Sequence, residues 1–259
     1  MITNKVLLFD LDDTLLRSDK TISSRTLEVL QMCSEKGLLI GICTSRSETN
    51  IACFVEQLHP DIVIASGGAV VRFRGECIFA SEFSAEETRA LIAAARKICG
   101  EDVEITVDTL HKHYWNYSVD PNIADASWGD VIYTRYEAFR EKALKVSVEI
   151  CDAAHAEAMR TAFPDCDCAC FVGTRWHKFT KKDTTKESAI RILCDRCGIP
   201  KENLIGFGDD VVDIGMLQLC GVGVAMGNAR EEVKTAADVV IGSNDADGIA
   251  DYLTQTFLA

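Results

Sequence analysis

Two carboxylates two residues apart, Asp10 and Asp12, lie in the segment Phe9-Asp10-Leu11-Asp12-Asp13-Thr14-Leu15, directly after the apolar run Val6-Leu7-Leu8-Phe9. A short, fully apolar run reads as a buried strand, and the point where such a strand leaves its sheet is where ligands commonly bind. Carboxylates spaced this way can divide labour, one attacking an electrophile while the other handles the proton of the leaving group. With phosphorus as the electrophile, Asp10 would form an aspartyl-phosphate, and one difficult transfer becomes two easier steps. Asp12 is then the acid/base partner. The competing reading is an acidic turn whose Asp or Thr side chains cap the segment that follows.

Three further segments offer matching chemistry. Ile42-Cys43-Thr44-Ser45-Arg46 ends a second apolar run. The Thr44 hydroxyl can hold a phosphoryl oxygen, and the Arg46 guanidinium is a planar, multidentate donor to anions. The alternatives are a helix cap at Thr44 and a solvated Arg46. Thr184-Thr185-Lys186-Glu187 opens a helix, with Thr184 and Glu187 spaced as a capping box. That spacing puts Lys186 in the first turn, where exposed amides and the positive dipole end also favour an anion. Taken by itself, Lys186 would be an exposed lysine. Gly208-Asp209-Asp210-Val211-Val212-Asp213 supplies carboxylates after another apolar run. These are hard oxygen ligands suited to Mg²⁺ bound between protein and phosphate.

The elements that must position these residues read as an α/β fold with a parallel sheet. Val6 to Phe9 is a strand, and Leu27, Leu30 and Cys33 share one face of a helix around Ser24 to Lys36 that stops at Gly37. Strands follow at Leu38 to Cys43 and Ile62 to Ala65, with helix near Glu48 to Leu58 between them. The same βαβα alternation resumes with helix at Ser188 to Cys197 and strands at Leu204 to Phe207, Gly223 to Met226 and Val239 to Ile241. Strands of a parallel sheet deliver their following loops to one edge, so Asp10, Thr44 and Asp209 are expected on one side. Between Ser81 and Phe179, apolar alternation and polar turns replace the buried runs. Ser84 and Glu87 form a capping box for a helix through about Cys99. Ile105 to Val107, Tyr114 to Val119, Lys145 to Ile150 and Cys168 to Val172 read as strands, so this insertion is α+β. No internal repeat or low-complexity segment interrupts either part.

Composition narrows the classes of function. At 259 residues, with 47% hydrophobic content, the chain can bury one sizeable core or two ordinary ones. A formal net charge of -13 argues against sequence-independent nucleic-acid binding, which needs a surplus of Lys and Arg. No apolar stretch approaches the roughly 20 residues that span a bilayer, and Asp10 arrives before a signal-peptide pattern can develop. The expectation is a cytoplasmic protein with no nucleic-acid or membrane partner, and no obligate protein partner is evident. The 12 cysteines read as reduced, mostly packing thiols: Cys33 and Cys43 fit apolar patterns, Cys194 and Cys197 fall on a helix, and Cys166, Cys168 and Cys170 lack ordinary zinc spacing. His111 and His113 read as part of an alternating strand.

In this order and with this interruption, the four segments resemble the haloacid dehalogenase superfamily of phosphohydrolases, in its Cof-like IIB branch. The resemblance continues through Val222-Gly223-Val224-Ala225-Met226-Gly227-Asn228-Ala229, Ala237-Asp238 and Asp247-Gly248-Ile249. It implies a Rossmann-like core over 1–80 and 180–259 and an inserted α+β cap over 81–179. It further implies that Asp10 attacks phosphorus, that Asp12 protonates the leaving oxygen and later activates water, and that Thr44 and Lys186 hold phosphoryl oxygens. Mg²⁺ would be held by the Asp10 carboxylate, the Asp12 carbonyl and Asp209, with Asp213 supporting its waters or replacing one. Arg46 and Asn228 are further candidates for binding substrate, Asn228 also reading as the cap of a helix start. Val212, Gly67 and Glu187 depart from the family pattern, replacing Asn, Asn and Gly. The implied activity is Mg²⁺-dependent hydrolysis of a small phosphorylated metabolite, a sugar phosphate or phosphorylated cofactor. The alternatives are a phosphomutase or a non-catalytic phosphate-binding regulator. Trp115, Tyr117, Trp128, Asp130, Arg135 and His177 are candidates for contacting the leaving group.

Overall fold

A computed structural model describes residues 5–117, 129–171 and 173–259. By mutual packing the chain divides into two compact units, one of residues 1–45, 54–79 and 185–259, the other of residues 46–53 and 80–184.

The first unit opens with β1 (Val6–Phe9), all four residues buried, then α1 (Ser24–Glu35), β2 (Leu39–Cys43), α2 (Ala52–Leu58), β3 (Ile62–Ala65), β4 (Val70–Phe73) and β5 (Glu76–Ala80). The chain then passes through the second unit: α3 (Ala85–Cys99), β6 (Ile105–Asp108), β7 (His113–Trp115), β8 (Ile132–Tyr133), β9 (Lys145–Glu149), α4 (Ala153–Ala162), β10 (Cys166–Cys170) and β11 (Trp176–Lys181). It returns with α5 (Lys186–Cys197), β12 (Leu204–Gly208), α6 (Ile214–Leu219), β13 (Val222–Ala225), α7 (Glu231–Ala236), β14 (Val239–Val240) and α8 (Gly248–Leu253).

The first sheet runs β14-β13-β12-β1-β2-β3-β4-β5. Its strands from β14 to β3 are parallel, and β4 turns back antiparallel to β3. Continuous burial of β1, β2, β3 and β12 is what a sheet covered on both faces demands. Register places Phe9 beside both Ile42 and Phe207, so Asp10, Thr44 and Asp209 emerge at one carboxyl edge, as expected. The Ser23 hydroxyl accepts from the Thr26 amide at the head of α1, which buries Val29, Leu30 and Cys33.

The second unit is a six-stranded sheet, β10-β11-β9-β6-β7-β8, backed by α3 and α4. Strand alternation sends Ile105, Val107, Tyr114, Val146, Val148 and Phe179 into a core with Leu91, Ile92, Ala95, Ala156 and Met159. The capping box of Ser84 and Glu87 forms as its spacing predicts. At the unit's two chain ends the Ser81 and Thr184 hydroxyls meet at 3.2 Å. Four of its elements, α4, β7 as a three-residue strand, β8 and β11, depart from the sequence-based expectation, as do β4 and β5 in the first unit. Val119, Trp128 and Val172, named among the sequence candidates, lie outside the described residues. Among the described residues no helix is long and apolar enough to cross a membrane. All twelve cysteines are free, and burial pushes the Cys166 and Cys194 thiols up to about 11, which fits packing rather than reactivity.

Opposite the helices, the fully buried Asp108 carboxylate bonds His113 Nδ1 at 2.5 Å and pairs with Lys145 Nζ at 2.8 Å. Burial alone would raise its pKa, but Lys145 and then His113 more than offset this and hold it at about 2. A carboxylate whose folded pKa is depressed stabilises above its unfolded value of about 4, and that stabilisation disappears as pH falls towards 2. The wild type is therefore expected to lose about 2 kcal/mol more than Asp108→Asn between pH 4 and 2. Urea unfolding followed by tryptophan fluorescence checks this, because all three tryptophans, Trp115, Trp128 and Trp176, fall within this unit's stretch of sequence. Equal pH slopes for the two proteins would contradict it.

Candidate active site

Asp10 follows β1 directly, and its amide donates to the Phe207 carbonyl at 3.0 Å, so the backbone is still held in the sheet when the side chain leaves it. The carboxylate is nearly buried. Lys186, the first residue of α5, donates to Asp10 Oδ1 at 2.5 Å and to Asp213 Oδ1 at 2.6 Å. The other oxygen of Asp213 accepts from the Asp209 and Asp210 amides, each at 3.2 Å. Asp209 accepts from the Thr14 hydroxyl at 2.5 Å. Oxygens of Asp10, Asp209 and Asp213 all lie within 4.8 Å of one another. Residues far apart in sequence are thus drawn together by strand ends and one helix start.

Two glycines make these approaches possible. A Cβ on Gly208 would stand 2.5 Å from the Asp213 Cβ, so only hydrogen allows Asp213 to lie against the end of β12. Gly68 has φ +105, and a Cβ there would stand 2.2 Å from the Thr185 carbonyl oxygen. The turn after β3 therefore fits against the start of α5, which carries Lys186. Gly67 donates its amide to the Thr44 carbonyl at 3.0 Å, and the Thr44 amide donates to Ile64 at 2.9 Å, so the ends of β2 and β3 are joined. Thr44 is buried.

Burial by itself would lower the Lys186 pKa, but Asp10 and then Asp213 outweigh it, and the ammonium is held charged well above its ordinary range. Burial pushes Asp10 well above the usual carboxylate range against the pull of Lys186, with Asp213 and Asp209 adding to the rise. For Asp209, burial, countered by the Thr14 hydroxyl and reinforced by Asp213, raises the pKa to about 7. Three carboxylates share a space in which one ammonium bonds two of them. That surplus of negative charge, on hard oxygen donors, is the environment a divalent cation relieves.

Several sequence expectations need correction. Thr185, not Thr184, caps α5: its hydroxyl accepts from the Ser188 amide at 3.1 Å and its amide donates to Ser188 Oγ at 2.9 Å. The Thr184 amide is bound by Asp167, and Glu187 pairs with Arg191 one turn along at 2.6 Å. Lys186 is buried, not exposed. Asn228 stands outside α7, whose cap position is Arg230. Its side chain instead donates to the Asp13 carbonyl at 2.7 Å and accepts from the Asn244 amide at 3.1 Å. Arg46 belongs to the second unit and is buried, not solvated. The Asp12 carboxylate, whose backbone carbonyl and not side chain is the expected cation ligand, lies apart from the carboxylate cluster and accepts from Lys20 Nζ at 3.2 Å, which leaves that expectation unchanged. In the second unit Trp115 has ring neighbours in Tyr117 at 5.3 Å and Trp176 at 6.0 Å, while Arg135 Nε donates to the Tyr133 hydroxyl.

Sequence reasoning misses the contributions of Thr14 and Lys20. Thr14 stands in plain sight, four residues after Asp10, but nothing in sequence joins it to Asp209. Ser66, at φ +52, is missed too, and its buried hydroxyl finds no hydrogen-bond partner among the described residues.

A sequence profile of the haloacid dehalogenase-like hydrolases matches residues 7–253. A putative phosphatase of Haemophilus influenzae is 29% identical over 268 residues, covering 98% of each chain. The 5-amino-6-(5-phospho-D-ribitylamino)uracil phosphatase YitU of Bacillus subtilis is 26% identical over 266 residues, covering 97% of each. Among solved structures, the subclass IIB sugar phosphatase BT4131 superposes with a TM-score of 0.82 at 27% identity, covering 99% of this chain and 100% of that one. The resemblance drawn from the four segments holds over nearly the whole chain. The chain belongs to the haloacid dehalogenase-like hydrolases and is a phosphatase among them.

Proposed function

We propose that this phosphatase hydrolyses a small phosphorylated metabolite, a sugar phosphate or a phosphorylated cofactor, through an aspartyl-phosphate on Asp10 and with Mg²⁺ as its cation. The observation that carries the reading is the Lys186 ammonium set between Asp10 and Asp213, with Asp209 beside them, at the carboxyl edge of a parallel sheet. Relatives named for a ribitylaminouracil phosphate and for sugar phosphates support the class of substrate.

In this mechanism the Asp10 carboxylate attacks phosphorus in line with the leaving oxygen, and Asp12 gives that oxygen its proton. Asp12 then takes a proton from the water that attacks the aspartyl-phosphate, releasing phosphate and restoring Asp10. Lys186 and Thr44 hold phosphoryl oxygens, Lys186 as a charge that Asp10 and Asp213 keep in place. The Asp10 carboxylate, the Asp12 carbonyl and Asp209 would hold the cation, and Asp213, fixed by two amides and Lys186, would orient that set. When bound, Mg²⁺ supplies the charge that offsets repulsion between an anionic nucleophile and an anionic ester. Hydrolysis depends chiefly on placing these charges in advance. We read the inserted stretch 81–179 as a cap that selects the ester, and the twelve free thiols as suited to a reducing compartment such as the cytoplasm.

Phosphate release across sugar phosphates, nucleotides, pyridoxal phosphate and flavin mononucleotide, with Mg²⁺ and with chelator, tests the reading. Asp10→Asn is expected to reduce turnover to background in a folded protein, since the amide is nearly isosteric but not a nucleophile. Undiminished release by that variant would remove Asp10 from the reaction. Asp209→Ala is expected to raise the Mg²⁺ needed for half-maximal rate by at least about 10- to 100-fold, the scale seen even for groups that only support a metal ligand. An unchanged Mg²⁺ titration would take Asp209 out of the cation site.

A further inference from the structure

The turn that carries Asp12 is held in an unfavourable shape. Asp13 has φ +57, a left-handed conformation that is unfavourable for an L-residue, less so for Asp than for most. Leu16 donates to the Leu11 carbonyl at 2.8 Å and Leu15 to Asp10 at 3.3 Å, which closes the turn from within. Two side-chain amides hold it from outside. Asn228 Nδ2 donates to the Asp13 carbonyl at 2.7 Å, and Asn244 Nδ2 donates to the Leu16 carbonyl at 2.9 Å. The two amides are joined, because Asn228 Oδ1 accepts from the Asn244 backbone amide at 3.1 Å.

The segments bearing these asparagines are built to meet. Gly227 donates to the Gly242 carbonyl at 3.1 Å, and a Cβ on Gly227 would stand 2.8 Å from the Ile241 carbonyl oxygen. The chain leaving the turn is tied to the same region, Arg17 to Asp247 at 2.7 Å and Ser18 Oγ to Asp245 at 2.7 Å. Neither asparagine titrates, and the contacts found for their side chains are to backbone.

We infer that Asn228 and Asn244 are positioning residues that hold the Asp12 carboxylate at the leaving oxygen by fixing the peptide groups on its carboxyl side. The inference rests on Asp12 being the acid/base. Without Asn228 the Asp13 carbonyl and the Asn244 amide lose their partner, and the left-handed residue next to Asp12 is free to relax. A displacement of about 1 Å in a reacting group can cost about 10²-fold. The loss falls where a proton is needed. An alkoxide leaves only if protonated, whereas p-nitrophenolate leaves without help, and kcat/KM reports steps up to the first irreversible one, departure of that group.

The test compares kcat/KM for p-nitrophenyl phosphate with that for the alkyl phosphate the wild type hydrolyses best, in Asp12→Asn, Asn228→Ala, Asn244→Ala and the double variant Asp12→Asn/Asn228→Ala. Asn228→Ala is expected to lose about 10- to 100-fold on the alkyl ester and to stay within about threefold on the aryl ester. In the double variant the alkyl rate should be no lower than in Asp12→Asn alone, because residues acting through one group are not additive. If Asp12→Asn shows the ester-selective loss but Asn228→Ala slows both esters alike, or its loss multiplies in the double variant, the positioning role is overturned and Asp12 keeps its own. If Asp12→Asn slows both esters alike, the acid/base assignment falls and the positioning role with it. Asn244→Ala leaves the Asn228 to Asp13 bond in place, so the same ester comparison applies should Asn228→Ala fail to fold.

Discussion

One ammonium shared between two buried carboxylates, with a third carboxylate beside them, is the constraint around which the first unit is arranged. Removing an ionised carboxylate from water costs several kcal/mol unless partners repay it, and here the partners come from separate places in the chain. Lys186 bonds Asp10 and Asp213, two backbone amides bond Asp213, and Thr14 bonds Asp209. The amide bonds to Asp213 are local, but those of Lys186 and Thr14 join segments far apart in sequence. Each needs a strand end or a helix start at the right height, and so the parallel sheet, the β12 glycine and the turn after β3 serve one electrostatic arrangement. Such a frame is ordered before a phosphate arrives, which is the condition under which fixed charges act most strongly on a reaction.

Asp213 illustrates how much of a site can be organisation. Both of its oxygens accept hydrogen bonds from the protein, and its side chain is fully buried against Gly208. It holds the backbone from which Asp209 projects and the ammonium that faces Asp10. Stability gains little from such an arrangement, since a well-packed apolar trio would bury the same volume with no desolvation cost.

The parallel core was legible because its strands are short apolar runs followed at once by polar residues, too short for a helix and too apolar for a strand with one wet face. That Asp10, Thr44 and Asp209 share one edge was legible for the same reason, since a parallel sheet brings its carboxyl ends to one edge whatever lies between; Lys186, at a helix start, and Asp213 joined them only through the family resemblance. Periodicity failed where polar residues are buried. In β11, Lys178 and Thr180 alternate with His177 and Phe179, so a strand with buried polar groups on one face looks like a loop. The cap of α5 was displaced by one residue because Thr184 and Glu187 match the capping-box pattern, whereas the observed pair, Thr185 and Ser188, has the same spacing but a Ser in place of Glu or Gln. Contacts made elsewhere, Asp167 with Thr184 and Arg191 with Glu187, decide between them. The capping alternative for Asn228 failed for a related reason. An asparagine before a helix usually caps it, and no local feature says that this one reaches back more than two hundred residues to Asp13.

The meeting of Ser81 with Thr184 bears on the history open to this chain. Roughly a hundred residues depart from the first sheet and come back with their ends a hydrogen bond apart. For the sheet, the excursion constrains chain geometry no more than a tight connection would, and the pairing of β1 with β12 is indifferent to what lies between. Loop-closure entropy rises only slowly with length, and here the inserted piece does its own closing with its own core. Such a piece can be exchanged, enlarged or trimmed while the strand ends that carry the carboxylates keep their register.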